Sequence, residues 1–219
     1  MTCGTAELKA IIFDLDGVLW RSGEIHAAAY RKTLTQAGLE MPDYGSIAGR
    51  RTDEVIRELW LAQRSQVGND SEAITQLTQE KQYLARRMLR SNPPLAPGCV
   101  DVIRALARVK QLALVSSASA ETVELFLSCS GTGDYFDAII YGDQVTIAKP
   151  HPAIYQLALQ KIGRSGGETA VVEDAPSGVR AARDAGIATV IAIEGTVPRE
   201  RLIEAGAHCV ITNLHELVT

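Results

Sequence analysis

Six short runs of Val, Ile, Leu and Ala, apolar throughout rather than alternating, punctuate this chain at residues 10–13, 112–115, 138–141, 170–172, 189–193 and 209–211. A strand with one wet face alternates apolar and polar side chains. An unbroken apolar run therefore marks a strand covered on both faces, the habit of parallel sheets. Helical patterns separate the later runs at 100–109, 120–128, 152–162, 177–185 and 199–205, with Gly163, Gly186 and Gly206 where those helices should stop. The alternation predicts an α/β chain with a doubly wound, Rossmann-like parallel sheet.

Between Trp20 and Asn92 the pattern changes. No strand-like run occurs there, only helical periodicity at 24–37 (closed by Gly38), at 53–63 after Thr52 as N-cap, and at 70–90. The last of these carries Ile74, Leu77, Leu84 and Met88 on one stripe, read as a helix-packing face. Pro93, Pro94, Pro97 and Gly98 then form a stiff linker. A chain of 219 residues allows one domain with a large insertion or two small domains. The order of patterns favours the former, an α/β core of residues 1–19 and 93–219 interrupted by an all-helical insert of residues 20–92.

Charge and composition exclude several classes. With 22 Lys+Arg against 26 Asp+Glu and no basic block, the chain is a poor partner for nucleic acid. No window approaches about 18 uninterrupted apolar residues, so no membrane span is expected. Residues 1–7 lack the basic start and long apolar stretch of a secretory signal. Cys3, Cys99, Cys129 and Cys209 are scattered, without a CxxC pair, and are read as free thiols of a reducing compartment. A cytoplasmic protein, monomeric or weakly homo-oligomeric, is the expectation.

The chemistry gathers at strand ends. The first run leads into Asp14-Leu15-Asp16-Gly17-Val18, the second into Ser116-Ser117, the third towards Lys149-Pro150-His151-Pro152, and the fourth into Glu173-Asp174. In an open parallel sheet, ligands bind beyond the carboxyl ends of the strands. Any one of these segments alone reads equally well as a turn or a helix cap. Together they project four carboxylates, hydroxyls and an ammonium from one sheet edge, and four carboxylates sharing a small volume require a cation. Oxygen donors without His or Cys call for Mg²⁺, and a metal beside Lys149 suits a phosphate dianion. On this reading Asp14 is the nucleophile, Asp16 the acid and base, and Ser116 and Lys149 hold the transferring oxygens. Ser117 joins the substrate-binding residues.

In that order the four segments resemble the four motifs of the haloacid dehalogenase superfamily, over nearly the whole chain. The branch most similar is that of β-phosphoglucomutase-like and phosphoglycolate-phosphatase-like enzymes. The resemblance implies a Mg²⁺ site formed by Asp14, the main-chain carbonyl of Asp16, and Asp174 with Glu173 nearby. Asp16 disfavours dehalogenation, because an alcohol leaving group needs a proton and a halide does not. Glu24-Ile25-His26 resembles the hinge segment whose His helps position Asp16, although a partly buried helix residue would read the same. Gly49-Arg50-Arg51-Thr52 resembles a cap loop that meets the substrate, so Glu24, His26, Arg50 and Arg51 are taken as substrate-binding. Arg50 and Arg51 fit equally well as solvated helix-flanking charges.

Two segments depart from the mutase pattern. Ser117-Ala118-Ser119-Ala120-Glu121 lacks the Lys-Asn with which the sugar-phosphate mutase grips its second phosphate. Trp20-Arg21 replaces a Thr-Asp or Ser-Asp pair, and the roles of both residues stay open. The expected activity is Mg²⁺-dependent hydrolysis of a small, sugar-phosphate-like metabolite through an aspartyl-phosphate. A β-phosphoglucomutase-like isomerase is the alternative, and a non-enzymatic phosphate- or metal-sensing module a third reading.

Overall fold

The structure is a computed structural model that describes residues 7–64 and 70–218. Six parallel strands form one sheet: β1 Ala10–Asp14, β2 Gln111–Val115, β3 Ala138–Ile140, β4 Thr169–Glu173, β5 Thr189–Ile193 and β6 Cys209–Ile211. Their order is β3-β2-β1-β4-β5-β6. The unbroken apolar runs are explained by two packed faces. Ile11, Phe13, Leu114, Val172 and Ile191 point to one side. Ala10, Ile12, Ala113, Val171 and Val190 point to the other. Helices α5 (Cys99–Ala107) and α6 (Ala120–Ser130) cover the first face. Helices α7 (Ala153–Ile162), α8 (Pro176–Asp184) and α9 (Arg199–Glu204) cover the second.

β1 pairs with β2 on one side and β4 on the other, so the winding reverses at β1 and a crevice opens beyond its carboxyl end. The register places Asp14 beside Val115, and Phe13 beside both Leu114 and Val172. Asp14, Ser116 and Glu173 consequently emerge side by side.

Four helices separate β1 from α5: α1 Gly23–Gln36, α2 Tyr44–Ile47, α3 Thr52–Gln63 and α4 Asp70–Ser91. They have their own apolar cluster, with Tyr30, Leu34, Ile47, Val55, Ile56 and Ile74 at its centre. Two connections join them to the sheet and run side by side, with the Arg21 amide donating to the Pro94 carbonyl at 2.8 Å and the Ala96 amide to the Leu19 carbonyl at 2.9 Å. Trp20 is fully buried there, its ring 5.6 Å from that of Phe126, so the indole packs between connection and core.

Three expectations need correction. The buried face of α4 runs through Ile74, Lys81, Ala85 and Leu89, while Met88 is 39% exposed. The stripe was misread because a lysine occupies one of its inward positions. Thr52 is the first residue of α3 rather than its cap. Cys99 and Cys129 are free thiols, but Cys209 is disulfide-bonded. Scattered spacing carries no information about pairing in space. Cys3 lies outside the described residues. Among the described residues no helix is long and apolar enough to cross a membrane.

Candidate active site

Lys149 is the centre of the buried charge. Its ammonium lies 2.5 Å from Asp14 Oδ1 and 2.7 Å from Glu173 Oε1, and the residue is 1% exposed. Burial alone would depress the Lys149 pKa, but the two carboxylates hold it above the ordinary lysine value. Glu173 is saturated: Oε1 also accepts from the Tyr155 hydroxyl at 2.6 Å, and Oε2 from the amides of Asp174 and Ala175 at 2.9 and 3.2 Å. Gly178 in the first turn of α8 makes this possible, since a Cβ there would fall 1.7 Å from Glu173 Oε1.

Asp14, Glu173 and Asp174 are all buried and each presents a carboxylate oxygen within 4.8 Å of the others. Burial, then Glu173 and Asp174, drive the Asp14 pKa well above its usual range against the pull of Lys149. Burial and the Glu173 charge push Asp174 up to about 8. Asp174 Oδ2 accepts from the Thr196 hydroxyl, whereas Oδ1 is buried with no hydrogen-bond partner. An orphaned carboxylate oxygen inside an all-oxygen cluster suits a hard divalent cation. With Glu173 committed to Lys149 and Tyr155, Asp14 and Asp174 are the side chains left to reach it.

Asp16 stands apart from that cluster. Its Oδ1 accepts from the Ser22 hydroxyl at 2.6 Å and contacts His26 Nε2 at 2.9 Å, while Oδ2 lies 3.5 Å from Ser116 Oγ. Burial raises its pKa, but His26 and Ser22 outweigh that and bring it down to about 2. On the other side of the imidazole, the Lys81 ammonium sits 3.1 Å from Nδ1. An ammonium only donates, so Nδ1 is the acceptor and Nε2–H points at Asp16. Lys81 is 4% exposed, also reaches the Thr52 hydroxyl at 3.3 Å, and lies over the Tyr30 ring; burial lowers its pKa to about 8.

The remaining expected residues divide. His26 and Arg50 line a small cavity with Asp14, Asp16 and Ser117, Arg50 also pairing with Glu58 at 2.6 Å. Ser116 accepts from the Ala118 amide at 3.0 Å and so shapes the turn after β2. Ser117 donates to the Gly49 carbonyl at 2.7 Å, and Ser177 to that of Ala48 at 2.9 Å, which seats the 48–52 segment on the sheet edge. Arg51 does not reach the cavity. Its guanidinium pairs with Asp53 and Glu54 and donates to the Val145 carbonyl at 2.9 Å in the loop before Lys149. Glu24 is likewise absent from this cavity and lines a separate one at the hinge, because it follows α1 one face away from His26. Arg21 lines that same space. Sequence reasoning overlooked Lys81, Tyr155 and Thr196. Only Lys81 carried a signal, a charge at an inward position of an amphipathic helix.

A family model described as haloacid dehalogenase-like hydrolase matches residues 8–186. Fructose-1-phosphate phosphatase YqaB of Escherichia coli is 30% identical over 182 residues, 82% of this chain and 94% of that protein. The phosphorylated carbohydrates phosphatase of Thermotoga maritima is 29% identical over 205 residues, covering 91% and 92% of the two chains. Among solved structures, CbbY from Rhodobacter sphaeroides in complex with phosphate superposes with a TM-score of 0.78 at 27% identity, covering 96% of both chains. Fold, charge cluster and sequence match agree: this chain belongs to the haloacid dehalogenase-like hydrolase family.

Proposed function

We propose that the chain is a Mg²⁺-dependent phosphomonoester hydrolase acting on a small phosphorylated carbohydrate, with residues 20–92 as a cap over a core of residues 1–19 and 93–219. The observation that carries this reading is the division of labour between two aspartates one residue apart. Asp14 lies against Lys149 beside the acidic cluster, and Asp16, lining the same small cavity, is held separately by Ser22 and His26. That is the arrangement needed for a nucleophile and a separate proton carrier.

Asp14, the Asp16 main-chain carbonyl and Asp174 would hold the metal, whose charge, when bound, offsets the repulsion between a carboxylate and a phosphate dianion. Asp14 Oδ attacks phosphorus, the bond to the bridging oxygen breaks, and the leaving alkoxide takes a proton from Asp16. Proximity of the phosphate dianion favours the protonated form of Asp16 for this step. Water then attacks the aspartyl-phosphate, giving its proton to Asp16 and releasing phosphate and the Asp14 carboxylate. Lys149 and Ser116 bear the equatorial oxygens as charge shifts. The 48–52 segment, seated through Ser117, Ser177 and Arg51, excludes bulk water.

Asp14→Asn is expected to abolish phosphate release from a panel of sugar phosphates with Mg²⁺ while the circular dichroism spectrum is retained. Phosphatase activity in that variant would overturn the mechanism. The His26–Asp16 contact also favours a second reading, a β-phosphoglucomutase-like isomerase. With β-glucose 1-phosphate and a trace of the 1,6-bisphosphate, a mutase yields glucose 6-phosphate and a hydrolase yields free phosphate.

A further inference from the structure

Two spaces open near the sheet edge, and they share one wall. The first is the catalytic cavity of about 50 Å³, bounded by Asp14, Asp16, His26, Arg50 and Ser117 among others. That is a small fraction of the several hundred Å³ typical of small-molecule pockets. The second, about 620 Å³, lies at the hinge between Arg21, Glu24, Pro97, Glu194, Thr196 and Asn213. Among the described lining residues Tyr44 alone belongs to both. Neighbours along the chain fall on opposite sides of it: Asp16 faces the small space and Gly17 the large one, His26 the small and Ala27 the large.

The ring is held in place from several directions. Tyr44 packs against the apolar cluster of the helical insert. Its Cε1 sits 3.7 Å from where a Cβ on Gly23 would project, so the ring lies close against the first connection. On either side along the chain, Asp43 pairs with Arg201 at 3.8 Å, and a Cβ on Gly45 would lie 3.1 Å from Val197. The two approaches tie the start of α2 to α9 and to the loop between β5 and α9.

We propose that Tyr44 is a specificity-determining residue, whose ring closes the catalytic cavity against the hinge cavity and restricts the closed enzyme to compact phosphomonoesters. The inference rests on the phosphatase reading. A substrate whose carbon chain overruns the small cavity towards the hinge meets the ring. It must then be turned over with the cap ajar, where water competes for the site. Without the ring the chain can extend into the hinge cavity, where Arg21, Glu24, Glu194 and Asn213 offer donors and acceptors to hydroxyl groups.

The experiment compares kcat/KM for a series of two-, three- and six-carbon phosphate esters in the wild type, Tyr44→Phe, Tyr44→Leu and Tyr44→Ala. Circular dichroism and Tm report the fold of each. The ratio of six-carbon to three-carbon kcat/KM is expected to rise about tenfold or more in the Ala variant, the scale on which steric fit discriminates. The Leu variant, which keeps apolar packing but shortens the wall, should move the same way, and the Phe variant should keep the wild-type ratio. Ratios within about twofold of wild type in folded Leu or Ala variants would overturn the proposal, as would a Phe variant that shifts as far as Ala. Calorimetric binding of the corresponding non-hydrolysable phosphonates reads the same size limit without turnover. A wild type that binds small phosphonates selectively yet releases no phosphate would sink the phosphatase reading and leave the size limit standing. Equal binding of small and large phosphonates would sink the size limit.

Discussion

Replacing Lys149 by Met removes a buried ammonium that serves two carboxylates, 2.5 Å from Asp14 and 2.7 Å from Glu173. Methionine fills similar volume, so the cavity contribution is small and the effect is electrostatic. Glu173 keeps the Tyr155 hydroxyl and two amides, but Asp14 loses the cation that opposes its burial. Breaking a buried pair by deleting one partner costs about 3–5 kcal/mol, out of a total of roughly 5–15 kcal/mol for a typical domain. Urea unfolding at pH 7 in chelator should show that loss as a drop in midpoint at unchanged slope. If the loss is uncompensated negative charge, removing a second charge must return part of it. Lys149→Met/Glu173→Gln is therefore expected to be more stable than Lys149→Met alone, and the single variant should lose less at pH 5, where Asp14 protonates more readily. Turnover in the Lys149→Met variant should fall by about 10²–10³-fold, the scale of losing one oxyanion donor. A stability loss under about 1 kcal/mol with no recovery in the double variant would refute the reasoning, because Lys149 would then not be neutralising the cluster.

Three further outcomes follow from the same geometry. Asp174 titrates at about 8 when folded against 3.8 ordinarily, so between those pH values the folded metal-free chain holds a proton that the unfolded chain has lost. Its stability must then fall as pH rises, by up to about 1.4 kcal/mol per unit for one proton. Unfolding in chelator at pH 5 and pH 8 checks the sign, and Mg²⁺ should flatten the slope by binding the ionised form. His26→Ala removes the main partner that keeps Asp16 near 2, so the alkaline limb of the kcat/KM profile, set by Asp16 as the acid, should move upward in pH, and the lost positioning should lower the maximal kcat/KM by about 10–100-fold. Gly17→Ala forces a side chain at φ +85° and places a Cβ 1.7 Å from Asp174 Oδ2. Backbone strain of about 1–3 kcal/mol and weakened Mg²⁺ binding by calorimetry are expected.

The strand ends were legible because they are local. A run such as residues 10–13 ends in Asp14 whatever the rest of the chain does, and a parallel sheet must present that end beside its neighbours' ends. The second face of the site was not legible. Lys81 lies 55 positions from His26, and nothing in either segment announces that α4 brings its ammonium to that imidazole. Arg50 and Arg51 are adjacent and chemically identical, yet one lines the cavity and the other clasps the loop before Lys149. The direction of a side chain on a helix start depends on how α3 docks, not on its own residue type.

Periodicity and turn chemistry therefore determined the sheet, its helical interruption and the order of the acidic, hydroxyl and lysine segments, since these rest on interactions among neighbours in the chain. Tertiary structure alone decided the rest: which acids come together, that Glu173 is spent on Lys149 and Tyr155, and that Tyr44 stands between a small cavity and a large one. Those outcomes depend on angles between packed elements. A rotation of one helix by a single residue position exchanges a ligand for a surface charge, and no local pattern encodes that rotation.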